Sequence, residues 1–181
     1  MILIGLGANL PTVHGAPRAT LEAALSVMPS FGITVRRRSS FYRTPAVAQY
    51  VQPPYVNAVA IVDTALPARE LLAALHRVEA MFGRVRQVRW AARTLDLDLL
   101  DYQGQIVTAA GPRGPEAGAG PLPLALPHPG LASRGFVLVP LVEIAPEWRH
   151  PVLGEGAARL IERVKAAEGV AAIAEIKRIR P

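Results

Sequence analysis

Two carboxylates, Asp96 and Asp98, lie in a stretch that alternates leucine and aspartate from Leu95 to Leu99. Alternation with a period of two is typical of a strand with one buried face. Both carboxylates are therefore predicted to point the same way, with Cα atoms roughly 6.5–7 Å apart. Two such groups repel each other unless a cation lies between them. Oxygen ligands at this spacing suit Mg²⁺, which commonly takes one or two carboxylates together with substrate phosphates.

The residues just before this strand are rich in positive charge. Four arginines and one tryptophan stand there: Arg84, Arg86, Arg89, Trp90 and Arg93. A guanidinium fork matches phosphate oxygens, so the arginines are predicted to hold a polyphosphate, with Trp90 stacking or contacting a lid. The stretch therefore predicts half of a phosphoryl-transfer site. The alternative is a run of solvent-exposed arginines followed by a strand with one solvent-exposed face. Such a strand would not be stabilised by two like charges on one face.

Four further polar side chains are candidates for binding a ligand. Asn57 stands in a predicted strand, although asparagine is depleted in strands. Its amide offers the hydrogen-bond donor and acceptor that recognition of a heterocycle edge requires. The alternative is an amide whose hydrogen bonds are made within the protein at a strand end. Glu79 lies in the last turn of a predicted helix, where the helix dipole disfavours a carboxylate, so an arginine or a ligand hydroxyl is expected to hold it. His128, fixed between two prolines near Arg134, is predicted to contact a nucleotide.

The elements that position these residues follow from apolar periodicity. Strands are predicted over Met1–Ala8, Ile33–Tyr42, Tyr55–Val62, Thr94–Tyr102 and Ala172–Ile179, and helices over Ala16–Met28, Pro67–Phe82 and Gly154–Glu168. The Gly5–Asn9 stretch lacks the third glycine of a dinucleotide fingerprint. Gly7 is instead predicted to occupy a tight turn that needs its permissive backbone. The order predicts an α+β fold with a ferredoxin-like βαββαβ core and an additional C-terminal helix and strand. Residues 103–125 are expected to be a surface excursion of one domain over 1–181.

Composition narrows the class of protein. The chain has 181 residues, of which 51% are hydrophobic, so it can bury one core. No apolar run approaches membrane-spanning length, and Met1–Leu6 is predicted to be a strand rather than a signal peptide; a cytoplasmic location is therefore expected. There is no cysteine, which excludes disulfides and thiolate chemistry. The net charge of +6 indicates an anionic partner, such as nucleic acid, a nucleotide or an acidic metabolite.

Six pieces of the chain, in order, resemble one enzyme family. They are GLGANL (Gly5–Leu10), FYRTPAV (Phe41–Val47), QPPYVNAV (Gln52–Val59), VEAMFGRVR (Val78–Arg86), RWAARTLDLDLL (Arg89–Leu100) and LPHPGLASRGFVLVPLVEIAPEW (Leu126–Trp148). The chain resembles the 6-hydroxymethyl-7,8-dihydropterin pyrophosphokinases of folate biosynthesis. The resemblance implies that ATP gives its β,γ-pyrophosphoryl group to the hydroxymethyl oxygen of a reduced pterin, releasing AMP, with two Mg²⁺ ions. Small-molecule substrates, a monomer, and no nucleic-acid or membrane partner are expected.

The resemblance also implies a role for individual residues. Asp96 and Asp98 would hold both metals and, with Arg84 and Arg93, form the catalytic set. The pterin site would comprise Thr44, Pro45, Val47, Tyr55, Asn57 and Phe136. The ATP site would comprise Glu79, Arg84, Arg89, Trp90, Arg93, His128 and Arg134. No residue is assigned as a nucleophile, because phosphoryl-type transfer needs positioning and charge neutralisation more than covalent chemistry.

Two other functions are consistent with parts of the pattern. A nucleotidyltransferase also carries Asp-x-Asp on a strand of a similar fold, but it would release pyrophosphate rather than AMP. An RNA-binding ferredoxin-like module would suit the net charge, but its sheet should carry paired exposed aromatic residues. Here the open face is predicted to carry Asp96 and Asp98, which repel phosphates in the absence of metal. A purely structural domain leaves the clustering of arginine and aspartate unexplained.

Overall fold

The computed structural model describes residues 1–46, 52–84, 92–108 and 123–180. Within these ranges the strands are β1 (Ile2–Ala8), β2 (Thr34–Arg38), β3 (Tyr42–Thr44), β4 (Tyr55–Asp63), β5 (Asp96–Tyr102) and β6 (Lys177–Arg178). The α-helices are α1 (Pro17–Val27), α2 (Ala68–Met81), α3 (Gly135–Ile144), α4 (Ala157–Glu168) and α5 (Ala171–Ala174). Short 3-10 turns cover Met28–Phe31 and Leu131–Ser133. No helix in this described part is long and apolar enough to span a membrane.

The sheet has the strand order β5-β1-β4-β3-β6, with every pair antiparallel, and β2 also pairs with β4. β2 and β3 occupy opposite ends of the same edge of β4, so together they act as one interrupted strand. The interruption falls at Ser39, whose hydroxyl accepts a hydrogen bond from the Val59 N–H at 3.1 Å. The ferredoxin-like βαββαβ core is therefore confirmed, although the strand predicted over Ile33–Tyr42 ends at Arg38 and only Tyr42 of that range belongs to β3.

The two faces of the sheet carry different layers of helix. On one face, side chains such as Ile4 and Leu6 pack against α1 and α2 in the larger core. On the opposite face, α3 and α4 pack on Leu3, Val59 and Leu100. Because strand residues alternate between faces, this second layer lies on the same face as the odd-numbered positions of β1. The helices of that layer contact one end of the face, and the candidate site lies at the other end.

Two local predictions are wrong for identifiable reasons. Gly7 lies inside β1 and pairs with Asn57 and Asp96, so it occupies a strand rather than a tight turn. The strand predicted over Ala172–Ile179 is instead α5 followed by the two-residue β6. Ile173 and Ile176 lie three residues apart, and both pack on the bare backbone of Gly135, where an added Cβ would meet them at 2.6 and 3.1 Å. Helical spacing onto this glycine outweighs the β-propensity of the isoleucines.

The predicted surface excursion, residues 103–125, lies mostly outside the described residues. At its base Val107 and Leu126 exchange two backbone hydrogen bonds, of 2.8 and 2.9 Å. The excursion and the single-domain organisation over 1–181 stay predictions.

Candidate active site

Strand register brings residues of two predicted subsites into one row across the sheet. Asn57 of β4 lies opposite Gly7 of β1, and Gly7 lies opposite Asp96 of β5. In the next row on the same face, Gly5 lies opposite Asp98. Directly opposed residues of antiparallel strands point to the same face, so Asn57 and Asp96 flank Gly7, about 10 Å apart across two strand spacings. Gly7 thus separates the amide from Asp96 in one row, and Gly5 separates Val59 from Asp98 in the next.

The two carboxylates differ in how their charge is compensated. Asp96 forms ion pairs with Arg84 and Arg93, and its side chain is 18% exposed. Burial alone would raise the pKa of Asp96, but Arg93 and Arg84 outweigh burial and hold that pKa below its ordinary value. Asp96 is therefore ionised at neutral pH, and the two arginines compensate its negative charge.

Asp98 is under-compensated by comparison. The basic groups that the structure places near its Oδ2 are His128 Nε2 at 4.0 Å and the Arg134 guanidinium Nη1 at 3.9 Å, and its side chain is 34% exposed. Burial and the neighbouring charge of Asp96 raise the pKa of Asp98 above its ordinary value despite these basic groups. A second carboxylate that is disfavoured as an anion, beside one that is ionised, is an electrostatic arrangement that a bound cation would relieve.

The donor set at this pair fits Mg²⁺. Both ligands are hard carboxylate oxygens on one face of β5, and neither side chain is fully buried. In the described part of the chain, no cluster of three or more His, Cys, Asp or Glu residues could hold a metal. Two carboxylates alone leave most of an octahedral shell to water and to substrate oxygens, as is usual for Mg²⁺ bound with a nucleotide.

Glu79 positions the arginine side of the site. Its side chain is 1% exposed, accepts a hydrogen bond from the Leu97 N–H at 2.8 Å, and forms an ion pair with Arg84. The expectation that an arginine holds this carboxylate in the last turn of α2 is confirmed. Glu79 thereby ties α2 to the start of β5 and aims Arg84 at Asp96, whereas its direct contact with ATP stays a prediction.

His128 and Arg134 enter from the segment before α3. The Gly130 N–H donates to His128 Nδ1 at 3.0 Å, so the neutral ring carries its proton on Nε2, the atom that faces Asp98. Burial lowers the pKa of His128 more than Asp98 raises it, which keeps the ring neutral. The imidazole is therefore a hydrogen-bond donor at the edge of the carboxylate pair.

Gly130 has a role that its residue type did not indicate. The Arg134 guanidinium lies across its bare Cα, where an added Cβ would stand 2.5 Å from Nε and 2.7 Å from Cζ. The same Cζ atom lies 5.7 Å from the centre of the Phe136 ring. Gly130 thus allows Arg134 to lie between Asp98 and Phe136.

We expect Gly130→Ala to weaken ATP binding about 5- to 20-fold, because the new methyl group displaces the Arg134 guanidinium, a charge-assisted phosphate donor. The clash is with the end of a flexible side chain, so thermal unfolding should change little. Isothermal titration with a non-hydrolysable ATP analogue and Mg²⁺ checks this. Gly156→Ala is the matched control, since its Cβ would meet only the Trp148 carbonyl oxygen at 3.6 Å. Nucleotide affinity within twofold of the unsubstituted chain would remove Arg134 from this role.

The predicted pterin residues cluster on β3 and β4. Thr44 pairs with Tyr55 in the register, and Asn57 Nδ2 donates to Thr44 Oγ1 at 2.8 Å. Asn57 Oδ1 lies over the bare Cα of Gly7, where an added Cβ would approach it to 2.8 Å. Burial raises the pKa of the Tyr55 phenol, as does nearby Asp96, so its ring is neutral and half-buried beside the amide.

The remaining predicted site residues divide into two groups. Pro45 is exposed directly after β3, and Phe136 is half-buried in the first turn of α3. Val47, Arg89 and Trp90 lie outside the described residues, and so does Arg86. The structure therefore brings Arg84, Arg93, His128 and Arg134 to the carboxylates, and Thr44 and Tyr55 to Asn57.

Comparison with known proteins gives the same family from the sequence and a matching fold from the structure. Residues 3–146 match the model of the 7,8-dihydro-6-hydroxymethylpterin-pyrophosphokinase (HPPK) family. A 2-amino-4-hydroxy-6-hydroxymethyldihydropteridine pyrophosphokinase of Synechocystis sp. is 40% identical over 163 residues, which cover 90% of this chain and 75% of that relative. The protein with the same name in Haemophilus influenzae is 40% identical over 145 residues, covering 80% of this chain and 81% of the relative.

Solved structures share the fold at low sequence identity. Wild-type Plasmodium falciparum HPPK-DHPS with SDX-DHP superposes with a TM-score of 0.69 at 13% identity, covering 99% of this chain and 47% of that one. An HPPK-DHPS crystallised in complex with substrates gives 0.68 at 12% identity, covering 98% and 46%. The chain thus spans about half the length of these solved proteins. Its family match and its curated relatives both show that the chain belongs to the 7,8-dihydro-6-hydroxymethylpterin-pyrophosphokinase family.

Proposed function

We propose that this chain transfers pyrophosphate from ATP to the hydroxymethyl group of 6-hydroxymethyl-7,8-dihydropterin, releasing AMP, in folate biosynthesis. The observation that carries the proposal is the row formed by Asn57, Gly7 and Asp96. It puts an amide able to read a heterocycle on the same face as a carboxylate pair able to hold a metal, one strand spacing to either side of Gly7. Two substrates, one flat and one polyanionic, would meet on this face.

Asp96 and Asp98 are the proposed ligands of two Mg²⁺ ions. When bound, these ions would neutralise charge on the polyphosphate and make the pterin hydroxyl more acidic. Arg84 and Arg93 would bind the phosphate oxygens and stabilise charge as the bond to the AMP portion breaks. In the structure both arginines pair with Asp96, and phosphate oxygens would give them other anionic partners when Asp96 holds a metal.

The other nucleotide contacts surround this pair. His128 would donate its Nε2 proton and Arg134 its guanidinium protons to phosphate oxygens, because both already approach Asp98. Arg89, Trp90 and Glu79 complete the proposed ATP site. The chain itself supplies no nucleophile in this reaction, since the attacking oxygen belongs to the pterin.

On the pterin side, Asn57 would hydrogen-bond the edge of the heterocycle, using the amide groups that Thr44 leaves available. Tyr55 and Phe136 would flank the ring by aromatic stacking. Thr44, Pro45 and Val47 complete the proposed pocket. The orientation of the ring then decides which atom faces the phosphates, and positioning of this kind contributes strongly to rate.

Identification of the nucleotide product tests the function. The chain is incubated with ATP, Mg²⁺ and the reduced pterin, and nucleotides are separated by chromatography. We expect AMP in equimolar amount with a pterin diphosphate. Release of inorganic pyrophosphate with a nucleotidylated product would instead indicate a nucleotidyltransferase, and salt-dependent RNA binding without magnesium would favour an RNA-binding module. The expected monomer and cytoplasmic location stay predictions.

A further inference from the structure

Asn9 lies buried just after β1, 2% exposed, between two parts of the site. Its Oδ1 accepts a hydrogen bond from the backbone N–H of Arg93 at 2.7 Å. Its Nδ2 donates to the Pro53 carbonyl oxygen at 3.1 Å and to Gln52 Oε1 at 3.2 Å. The backbone N–H groups of Asn9 and Leu10 both donate to the Arg93 carbonyl, at 3.0 and 3.1 Å. One residue therefore joins two segments that are far apart in the sequence.

Chemistry fixes the orientation of the Asn9 amide. A backbone N–H can only donate and a backbone carbonyl can only accept, so Oδ1 must face Arg93 and Nδ2 must face Pro53. The acceptor oxygen and both amide protons are thus in use. A side chain without an acceptor would release Arg93, and one without donors would release Pro53. The position needs a short amide, which aspartate, serine and alanine do not provide.

The two segments carry different substrates in the proposed function. On one side, Arg93 pairs with Asp96 and is a proposed phosphate ligand. On the other side, Gln52 and Pro53 lead directly into β4, whose first residue is Tyr55. The distance between the nucleotide and the pterin therefore depends on how these segments are held relative to each other. An error of about 1 Å in such a distance can lower a rate about a hundredfold.

We propose that Asn9 is a positioning residue that holds the phosphate-binding backbone at Arg93 in register with the pterin-side segment at Gln52 and Pro53. This inference rests on the proposed function for the identity of the two substrates. Asn9 acts through its two neighbours and contacts no reacting atom. Its buried amide makes the two half-sites one rigid unit, because an unmet hydrogen bond at either end would leave a buried polar group unsatisfied.

Two substitutions separate the two ends of the link. Asn9→Asp keeps an acceptor for the Arg93 N–H but turns a carboxylate oxygen against the Pro53 carbonyl, which cannot donate. We expect it to raise the dissociation constant of the pterin about tenfold, because one or two buried hydrogen bonds are lost on the pterin side. The dissociation constant of the nucleotide should change less than about twofold. Asn9→Ala removes both ends, and we expect it to lower kcat about 10- to 100-fold as well.

Asp101→Asn is the control for general loosening of the fold. Asp101 is 3% exposed and accepts hydrogen bonds from Trp148 Nε1 at 2.7 Å and the Gly104 N–H at 2.9 Å, away from the described site residues. The substitution should lower the unfolding temperature without separating the two substrate affinities. Amide hydrogen exchange gives a readout independent of turnover: the Arg93 N–H should exchange faster in Asn9→Ala and stay protected in Asn9→Asp.

The outcomes decide the inference separately from the function. Absence of AMP with the unsubstituted chain would contradict the proposed function. Hydrogen exchange of the Arg93 N–H would still test whether Asn9 holds that backbone in place. If AMP forms but Asn9→Asp weakens both substrates equally, or Asn9→Ala keeps the original kcat, Asn9 has no positioning role. The same conclusion follows if Asp101→Asn reproduces the selective loss of pterin affinity.

Discussion

Replacing Asp98 by asparagine is expected to lower kcat/KM about a thousandfold or more and, at the same time, to stabilise the metal-free fold. The activity falls because an amide oxygen is a far weaker Mg²⁺ ligand than a carboxylate. The stability rises because burial and the charge of Asp96 disfavour the ionised Asp98 carboxylate, and an uncharged amide removes this unfavourable interaction. AMP formation and thermal unfolding without metal measure the two effects.

Asp96→Asn should cause a similar loss of turnover with the opposite effect on stability. Asp96 lies between Arg84 and Arg93, so its removal brings two guanidinium groups together without the carboxylate that compensates them. We therefore expect a lower unfolding temperature than that of the unsubstituted chain. Equal shifts of the unfolding temperature in the two variants would show that the two carboxylates do not differ in how their charge is compensated. Near-normal turnover in either variant would reject the metal assignment.

Asn57→Ala is expected to weaken pterin binding about 10- to 100-fold while ATP affinity changes less than about threefold, because a polar heterocycle edge loses its hydrogen-bond partners. Fluorescence titration of the pterin and calorimetry with an ATP analogue give the two affinities. Equal losses for both ligands would reject the role of Asn57 in reading the pterin.

The glycines of β1 provide a matched pair for the same claim. A Cβ on Gly7 would stand 2.8 Å from Asn57 Oδ1, whereas the nearest atoms to a Cβ on Gly5 would be Leu100 side-chain carbons, at 3.5 Å or more. Gly7→Ala should therefore weaken pterin binding, and Gly5→Ala, the same substitution two residues away on the same face, should leave pterin affinity unchanged. Equal pterin affinities in the two variants would mean that the close approach of Gly7 does not position the amide.

Local pattern was enough to predict the core of the fold and the face that the two carboxylates share. The Leu-Asp alternation at Leu95–Leu99 encodes which face the carboxylates share, because side-chain direction on a strand depends only on sequence parity. The periodicity of α2 likewise predicted its bounds to within a residue at each end. Both features are local, and local sequence carries them.

The features that sequence did not predict are pairings between distant residues. The row that joins Asn57 to Asp96 depends on the register of β1 against two other strands, which no single segment encodes. For the same reason local sequence predicts a turn at Gly7, whereas in the fold the missing side chain makes room for the Asn57 amide. Gly130 and Asn9 also act through partners brought close by folding. The one available signal was the scarcity of asparagine, which occurs only at positions 9 and 57.

Metal counting on the carboxylate pair tests the central claim most directly. Mn²⁺, which takes similar oxygen ligands, is titrated by electron paramagnetic resonance in the presence of α,β-methylene-ATP, whose substituted bond is the one that transfer would break. We expect two ions per chain in the unsubstituted protein and at most one in Asp98→Asn. The same number of bound ions in both proteins would contradict it.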